Sequence, residues 1–386
     1  MHLKSLDIKN FRILEDFQVN KLGRVNLIVG KNNSGKTTVL EAIRIYAGNA
    51  NLHLLEMLAS SHDERVYISN NINELFDNEI PFQAFFTGRK FPDNDAKIVI
   101  GEIEGANRLT IEHGYLLEWS EIIHENGEEI TKNRLKRIAK DQLDDLEGEL
   151  LDALFIHKNG HHASIRFDKI NAIRTRAYPP LSGLNILPCN VIPTQFISLD
   201  ELADEWDKIA LTDHQDTVKS ALKLIAPDFL DITFVRTEQQ KKSFSNQSLS
   251  RTAKVRLAGQ DQPVPLNSMG DGMLRILQLI LKIFSAKGGF LLIDEFENGL
   301  HYSVQKKVWE LVFDLAEKLN IQVFATTHSW DCIESFAKVA IEKTAIEGVL
   351  FRVGRSVRTS DQGRVIATVF DEQKLFNITQ ADVEVR

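Results

Sequence analysis

The residues best suited to chemistry form a glycine-rich loop near the N-terminus. After the apolar run Val25–Val29 the sequence reads Gly30-Lys31-Asn32-Asn33-Ser34-Gly35-Lys36-Thr37, and a segment with apolar residues at helical spacing follows. The pattern matches G-x-x-x-x-G-K-[ST], in which the glycines let backbone N–H groups converge on phosphate oxygens. Lys36 is placed to neutralise β- and γ-phosphates, and the Thr37 hydroxyl to bind Mg²⁺. Because a strand and a helix flank the loop, we predict a nucleotide site rather than a chance glycine-rich turn.

An acidic partner for the metal ion lies far down the chain. The apolar run Gly289–Ile293 ends in Asp294 and Glu295, as expected of a buried parallel strand whose carboxyl end meets a ligand. We expect Asp294 to hold Mg²⁺, directly or through water, and Glu295 to polarise the attacking water as general base. In isolation this pattern would indicate an ordinary strand ending at a surface turn, but the phosphate loop favours the catalytic interpretation.

A second loop with an anion-binding pattern precedes an amphipathic helix. It carries Ser268, Gly270 and Gly272, and a hydroxyl with the free N–H groups of a helix start suits a γ-phosphate. Since the first loop already holds one triphosphate, this loop would serve the nucleotide of another copy, which predicts a homodimer with ATP at its interface. The alternative is a simple N-cap, in which the Ser268 hydroxyl accepts from the following helix.

A histidine lies at the tip of the next apolar strand. The polar turn Glu297–His301 and a long helical pattern lead into the run Ile321–Ser329, which carries His328 near its end. From a strand end His328 could reach a γ-phosphate, and a structural role is the alternative. Because Lys36 and Asp294 must share one Mg-ATP, both ends of the chain are expected to meet in one sheet.

In this order the motifs resemble the ABC-type ATPases of the RecF and SMC group, and most closely the stand-alone ATPases and ATPase halves of overcoming-lysogenization-defect (OLD) nucleases. The resemblance implies an α/β P-loop NTPase fold, namely an ABC-ATPase head with a mixed or parallel sheet core and an antiparallel N-terminal lobe. It also implies a head-to-head dimer that sandwiches two ATP molecules. The resemblance implies that Gly30–Thr38 is the Walker A motif and that Asp294 and Glu295 are the Walker B carboxylates. It also implies a signature loop acting in trans at Ser268–Gly272, a D-loop at Glu297–His301 and a switch histidine at His328.

Two departures from the family pattern refine the functional expectation. The signature reads SMGDG rather than LSGGQ, which fits the OLD-like branch, and the sequence has no membrane span to which a transporter could couple. OLD nucleases carry a C-terminal Toprim domain, whereas Trp330–Arg386, with β-like runs Gly348–Val353 and Arg364–Phe370 and a final short helix, suffices only to finish the ATPase sheet. We therefore expect a separately encoded effector, such as a nuclease or toxin, in bacterial defence against phage.

The alternative function is an ATP-gated, DNA-binding clamp for repair or chromosome maintenance. The composition bears on it, because 46 Lys and Arg against 54 Asp and Glu give a net charge of −8, so any contact with nucleic acid must be local. The two cysteines, Cys189 and Cys332, exclude a disulfide framework and a four-cysteine zinc site, which fits a reducing, cytoplasmic location. The family's Q-loop glutamine is left unassigned between Gln83 and Gln195.

The elements that position these motifs divide the chain into three parts. Residues 1–118 are predicted to form the Walker A lobe, 119–189 a helical insertion and 190–386 the C-terminal part of the ATPase domain. Antiparallel strands are predicted for Ile98–Ile103, Arg108–Glu112 and Tyr115–Trp119, and a charged helix for 121–154. A loop is predicted for Glu238–Ser250. A loop is also predicted around His157, His161 and His162, and metal binding by these histidines is the alternative. The basic stretch Lys132–Lys140 could contact nucleic acid or an acidic partner, or be a solvated face.

Overall fold

The computed structural model describes residues 2–64, 66–68, 77–79, 81–125, 128–142, 148–170, 184–236 and 251–370. Within them a central sheet has the strand order β11 (Cys189–Ile192), β15 (Phe290–Ile293), β16 (Gln322–Thr327), β3 (Val25–Val29), β17 (Gly348–Arg355) and β18 (Val365–Phe370). Neighbouring strands are parallel, except that β17 and β18 are antiparallel. Both ends of the chain therefore meet in one sheet, as predicted.

The strands of the central sheet are buried because two hydrophobic cores cover its two faces. Successive side chains of β15 point alternately to opposite faces, so Leu291 and Ile293 enter one core, and Phe290 and Leu292 enter the other. Helices pack on these faces: α1 (Lys36–Ala47), α2 (Leu52–Ser61), α3 (Leu199–Ile209), α4 (His214–Leu222), α5 (Asp271–Ser285), α6 (Tyr302–Lys318) and α7 (Trp330–Glu342). None of the described helices is long and apolar enough to cross a lipid bilayer.

An antiparallel sheet forms the second lobe. Its strands run in the order β10 (His161–Arg166), β9 (Glu149–Lys158), β7 (Leu109–Glu125), β6 (Ile98–Gly101), β1 (Leu6–Phe11) and β2 (Leu14–Val19), and β8 (Glu128–Ile138) pairs with β7. Smaller sheets contain β12 (Phe229–Arg236), β13 (Arg251–Leu257) and β14 (Val264–Pro265), and β4 (Val66–Ile68) and β5 (Asp77–Glu79). The parallel core and the antiparallel N-terminal lobe of the predicted fold are thus confirmed.

The predicted helical insertion is wrong, because the described part of residues 121–154 is almost entirely β-sheet. β7 and β8 pair from Tyr115 opposite Ile138 to Glu125 opposite Glu128, and β9 pairs along the other side of β7. The segment is rich in charge, which resembles a solvated helix, but every residue of β8 from Thr131 to Arg137 is exposed. Because both faces of this strand are exposed, it lacks the alternation of apolar and polar residues that identifies a half-buried strand. The predicted division at residue 118 falls inside β7, and the domain boundaries stay a prediction.

Of the other strands and loops predicted from the sequence, some are confirmed and some are wrong. The two β-like runs near the C-terminus are confirmed as β17 and β18, whereas Arg108–Glu112 and Tyr115–Trp119 belong to one strand, β7. His157 lies on β9 and His162 on β10, with their Nδ1 atoms in contact across a turn, so these histidines lie mainly on strands rather than in a loop. The predicted final helix and the predicted loop Glu238–Ser250 fall outside the described residues.

Candidate active site

The phosphate loop connects the central strand β3 to the start of α1. Gly30 has φ 151° and Gly35 has φ 106°, and a Cβ added to Gly30 would lie 2.3 Å from the carbonyl oxygen of Val353. Both positions therefore require glycine. No side chain caps α1 and no acidic residue lies in its first turn, so the helix start presents backbone N–H groups and a positive dipole end toward the loop.

Two polar side chains of the loop have the environment expected of an anion site. Lys36 Nζ donates to the carbonyl oxygens of Gly30 at 2.8 Å and Lys31 at 3.0 Å, folding back over its own loop. Burial lowers the pKa of Lys36, although nearby carboxylates act in the opposite direction. Ser34 Oγ is buried without a hydrogen-bond partner. A bound phosphate would supply acceptors to both groups, so these residues fit a nucleotide.

Hydroxyl groups from three elements surround the carboxylate of Asp294. Thr37 Oγ1 lies 3.4 and 3.5 Å from its two oxygens, Thr194 Oγ1 lies 3.4 Å from Oδ2, and Thr326 Oγ1 donates to Oδ1 at 2.6 Å. Thr37 and Asp294, predicted to bind Mg²⁺, are thus brought together across 257 positions of the chain. A set of oxygen ligands suits this hard cation. Thr194 and Thr326 were not predicted as site residues.

Glu295 lies directly beyond the end of β15 with an unusual backbone conformation. Its φ is 49°, which is uncommon for a residue other than glycine. Its backbone N–H donates to Thr326 Oγ1 at 2.9 Å, so one buried threonine holds both this peptide group and the Asp294 carboxylate. A conformation of this kind persists only where the surroundings enforce it.

The predicted switch histidine lies beside two carboxylates. His328 Nδ1 is 3.2 Å from Glu297 Oε1 and 3.7 Å from Glu295 Oε1. Glu297 also accepts the backbone N–H groups of His328 and Ser329 at 3.0 and 3.2 Å, which fixes the backbone just before α7. The structure therefore brings Glu295 and His328 to the same edge of the sheet as Lys36, and Glu297 of the predicted D-loop joins them.

The second anion loop lies at the start of α5. The Ser268 hydroxyl donates to the carbonyl oxygen of Pro265 at 2.6 Å, and no side chain caps the helix at Gly270. The alternative in which Ser268 is an N-cap is therefore not observed. Gly270 has φ 88° and, among the described residues, its added Cβ would meet no atom within 4 Å, so the loop has free space at Gly270.

Of the two glutamines left unassigned as the Q-loop residue, one lies near the carboxylate of Asp294. Gln195 follows Thr194 just beyond the end of β11, which neighbours β15, and Thr194 contacts Asp294. Gln83 lies instead in the 3₁₀ turn Phe82–Phe85 of the other lobe. The only sequence signal for Gln195 is its place after a short apolar run, which does not reveal that β11 lies next to β15.

The chain is similar to several known proteins. The "ATP/GTP phosphatase" of Helicobacter pylori is 24% identical over 364 residues, covering 88% of this chain and 89% of that protein. The "OLD nuclease" of Thermus scotoductus is also 24% identical, over 85% of this chain and 59% of the nuclease. Its match confirms the predicted resemblance to the OLD group. The solved SMC head domain from Thermotoga maritima is similar at 16% identity, with a TM-score of 0.42 and coverage of 96% of this chain and 100% of that one.

A family model shows where the chain belongs. The model described as "AAA domain, putative AbiEii toxin, Type IV TA system" matches residues 25–331. The matched region begins with β3, contains the phosphate loop, the second anion loop and the Asp294-Glu295 pair, and ends in α7. Because it covers most of the chain, the chain belongs to this family of AAA-domain ATPases.

Proposed function

We propose that the chain binds ATP with Mg²⁺ and hydrolyses it to ADP and phosphate. The observation that carries the proposal is the convergence of Lys36, Thr37, Asp294, Glu295 and His328 at the carboxyl edge of one parallel sheet, where such folds bind ligands. The relative named an ATP/GTP phosphatase, which aligns over most of both chains, supports nucleotide hydrolysis.

Each group has a defined task in this proposal. The loop Gly30–Thr38 binds the phosphates through backbone N–H groups and Lys36. Thr37 and Asp294 would hold Mg²⁺, which when bound neutralises phosphate charge. Glu295 accepts a proton from the attacking water, and His328 donates a hydrogen bond toward the terminal phosphate.

We further propose that the working unit is a homodimer with ATP at its interface. The loop Ser268–Gly272 is largely exposed and precedes a helix with no side-chain cap, and among the described residues no atom lies within 4 Å of a Cβ added to Gly270. Such a helix start is a ready anion site. One chain already has a complete phosphate loop, so the second loop is best explained by the γ-phosphate of a nucleotide bound to a partner copy.

The nucleotide state of this dimer is proposed to control a separately encoded effector in the bacterial cytoplasm, a nuclease or a toxin that acts in defence against phage. The family description, which names a toxin system, and the alignment with part of an OLD nuclease support this direction. Deleting the adjacent gene in a host that carries both genes tests it. If protection against phage is unchanged by that deletion but lost on Lys36→Ala, the effector assignment is wrong.

The hydrolytic assignment is tested by two substitutions with a matched control. Lys36→Ala is expected to abolish ATP hydrolysis, whereas Lys31→Ala, in the same loop but with an exposed side chain, leaves it near the wild-type rate. Glu295→Gln should bind ATP without cleaving it and accumulate as a dimer, which light scattering would detect. Wild-type hydrolysis by Lys36→Ala protein would remove the proposal.

The DNA-clamp alternative has one structural observation in its favour. β8 carries Lys132, Arg134, Lys136 and Arg137 with no acidic residue between them in the sequence, and Trp119, opposite Arg134, is 37% exposed. Two of these cations pair with carboxylates of β7, Arg134 with Glu121 and Arg137 with Glu112. Basic side chains with an exposed aromatic ring can bind a nucleic-acid backbone and its bases. A gel shift should then show salt-dependent DNA binding that ATP strengthens and Lys132→Glu/Lys136→Glu weakens. Absence of binding at low salt would exclude this candidate.

A further inference from the structure

We propose that Arg275 is a positioning residue that couples the second anion loop to the catalytic glutamate of the same chain. The inference rests on the proposed function and deepens it, because it states how a nucleotide on the partner copy would regulate hydrolysis. It is carried by the hydrogen bonds, burial and packing of one helix, α5.

Arg275 lies in the second turn of α5 and its side chain is completely buried. Its Nη1 donates to the carbonyl oxygen of Pro193 at 2.8 Å. Its Nη2 donates to the carbonyl oxygens of Asp294 at 2.9 Å and Glu295 at 2.7 Å. One guanidinium group therefore joins the helix that begins at the second anion loop to the backbone at the ends of β11 and β15.

The environment of Arg275 is unusual for a cation inside a protein. The hydrogen bonds of its two terminal nitrogens go to neutral carbonyl oxygens, and Nε is buried without a partner. Burial lowers the pKa of Arg275 to about 10, with Glu297, Asp294 and Glu295 acting in the opposite direction, so the group stays charged at neutral pH. Because an isolated buried charge is costly, the three charge-assisted hydrogen bonds must offset much of that cost.

The carbonyl groups that Arg275 binds belong to residues whose backbone needs support. Glu295 has a positive φ, which is unfavourable for a residue with a Cβ. Arg275 holds its carbonyl oxygen, and Thr326 holds its N–H group. Loss of either contact would let the peptide relax and swing the carboxylate away from the attacking water.

The start of α5 is also packed closely on the turn that follows Glu295. A Cβ added to Gly272 would lie 3.1 Å from the carbonyl oxygen of Gly299, and one added to Gly299 would lie 3.4 Å from the carbonyl oxygen of Asp271 and 3.5 Å from Arg275 Cβ. This separation leaves little room for α5 to slide past the turn. The loop Ser268–Gly272, α5, Arg275 and Glu295 therefore move as one body.

The consequence is a link between two nucleotides. When Ser268–Gly272 closes on the phosphate of the partner's ATP, the displacement of α5 reaches the Glu295 that acts on the chain's own ATP. Hydrolysis should therefore be cooperative in ATP, with a Hill coefficient above one, and the cooperativity should depend on Arg275.

Substitutions of Arg275 test this link. Arg275→Lys keeps the charge but lacks the planar fork that reaches three carbonyl groups. We expect kcat to fall about tenfold or more while KM changes less than about twofold, since the misplaced group acts in the transition state. The Hill coefficient should fall toward one. Arg275→Met should show the same pattern, with a larger loss of kcat and a lower thermal midpoint.

Lys282→Met is the matched control, because Lys282 is a buried cation two turns further along α5 that binds Glu201 and Glu205 of α3 instead of the site. It should lower the thermal midpoint but leave kcat and the Hill coefficient at wild-type values. Equal kinetic losses for Lys282→Met and Arg275→Lys would show a merely structural effect and overturn the inference. Unchanged kinetics of Arg275→Lys would do the same.

Mixed dimers locate the effect within one chain. In dimers where one protomer carries Lys36→Ala, Arg275→Lys should slow hydrolysis when it lies in the protomer with the intact phosphate loop. It should have little effect when it lies in the Lys36→Ala protomer, and the reverse pattern contradicts the inference. If Lys36→Ala alone retains full hydrolysis, the proposed function fails, and this inference fails with it. If Lys36→Ala is inactive and the Arg275 variants match wild type, only the coupling fails.

Discussion

The two large sheets of this molecule distribute their polar residues in different ways. β3, β15 and β16 of the central sheet are buried along their length, and the catalytic candidates lie at or beyond their carboxyl ends. In the antiparallel sheet, β8 is exposed from Thr131 to Arg137 and carries charge along its whole length. Burial on both faces excludes charged side chains from a strand and concentrates them where it ends. The candidate catalytic residues are therefore concentrated in one lobe, whereas the other lobe presents an exposed, charged surface.

The largest expected effect is on kcat, and it should differ between substitutions in the two sheets. Glu295→Gln should lower kcat for ATP hydrolysis by about 10²- to 10⁴-fold, because the proposed general base is lost. Glu121→Gln on β7, which removes an exposed carboxylate that pairs with Arg134, should leave kcat unchanged. Steady-state phosphate release measures both. A comparable loss in Glu121→Gln would show that the antiparallel sheet also contributes to catalysis.

The next effect arises where the two lobes meet. Lys158 of β9 is buried and donates to the Tyr46 carbonyl oxygen and to Asn49 Oδ1, both at 2.7 Å, at the end of α1. Burial lowers the pKa of Lys158 from 10.5 to about 8. Between these values the unfolded chain binds more protons than the folded one, so stability should rise with pH, by about 3 kcal/mol in total.

Urea unfolding of wild-type and Lys158→Met protein at pH 7.5, 9 and 10.5 measures this contribution. The difference between their free energies of unfolding should shift in favour of wild type from pH 7.5 to pH 10.5, because the folded chain loses the Lys158 proton before the unfolded chain does. A constant difference throughout would mean that Lys158 keeps an ordinary pKa, and that the lobes do not bury a charge between them.

A smaller effect is expected from the threonine that orients the carboxylate pair. Thr326→Val keeps the shape of the side chain but removes the hydroxyl that binds Asp294 and the Glu295 N–H group. We expect kcat to fall about tenfold, close to the loss of about 1.4 kcal/mol for one hydrogen bond to a charged group. Thr110→Val on β7 is the control. Equal activity of the two variants would remove the positioning role of Thr326.

The smallest effect concerns the exposed apolar residues of the β7–β8 hairpin. Ile122 is 63% exposed and Leu135 47% exposed. Ile122→Thr and Leu135→Thr should each change the free energy of unfolding by less than about 0.5 kcal/mol, as is usual for surface sites, and leave kcat unchanged. Urea titration checks this. A loss of more than about 1 kcal/mol would show that these residues are covered in the assembled protein.

The parts of the fold that follow from the sequence are those in which burial dictates composition. β3, β15 and β16 read as apolar runs because they are covered on both faces, and the glycines of the phosphate loop have no substitute. The end of β7 from residue 121 and the whole of β8 resemble a charged helix in sequence, because exposure of both faces allows charged side chains at consecutive positions and the period of two is lost. No sequence pattern indicates the role of Arg275, because that role depends on the carbonyl groups of Glu295 and of Pro193, which lies 82 positions away.

The position of β3 between β16 and β17 also has a consequence for synthesis on the ribosome. The phosphate loop emerges early, but Asp294, which contacts Thr37 in the folded chain, follows it by 257 positions. At bacterial rates of about 5–20 residues per second, that interval is on the order of tens of seconds. During this time the nascent chain has a phosphate loop but neither the carboxylates nor the neighbouring strands of β3. Under the proposed function, hydrolysis would begin only after Asp294 and Glu295 have been made, and a fragment released before that point would not consume ATP.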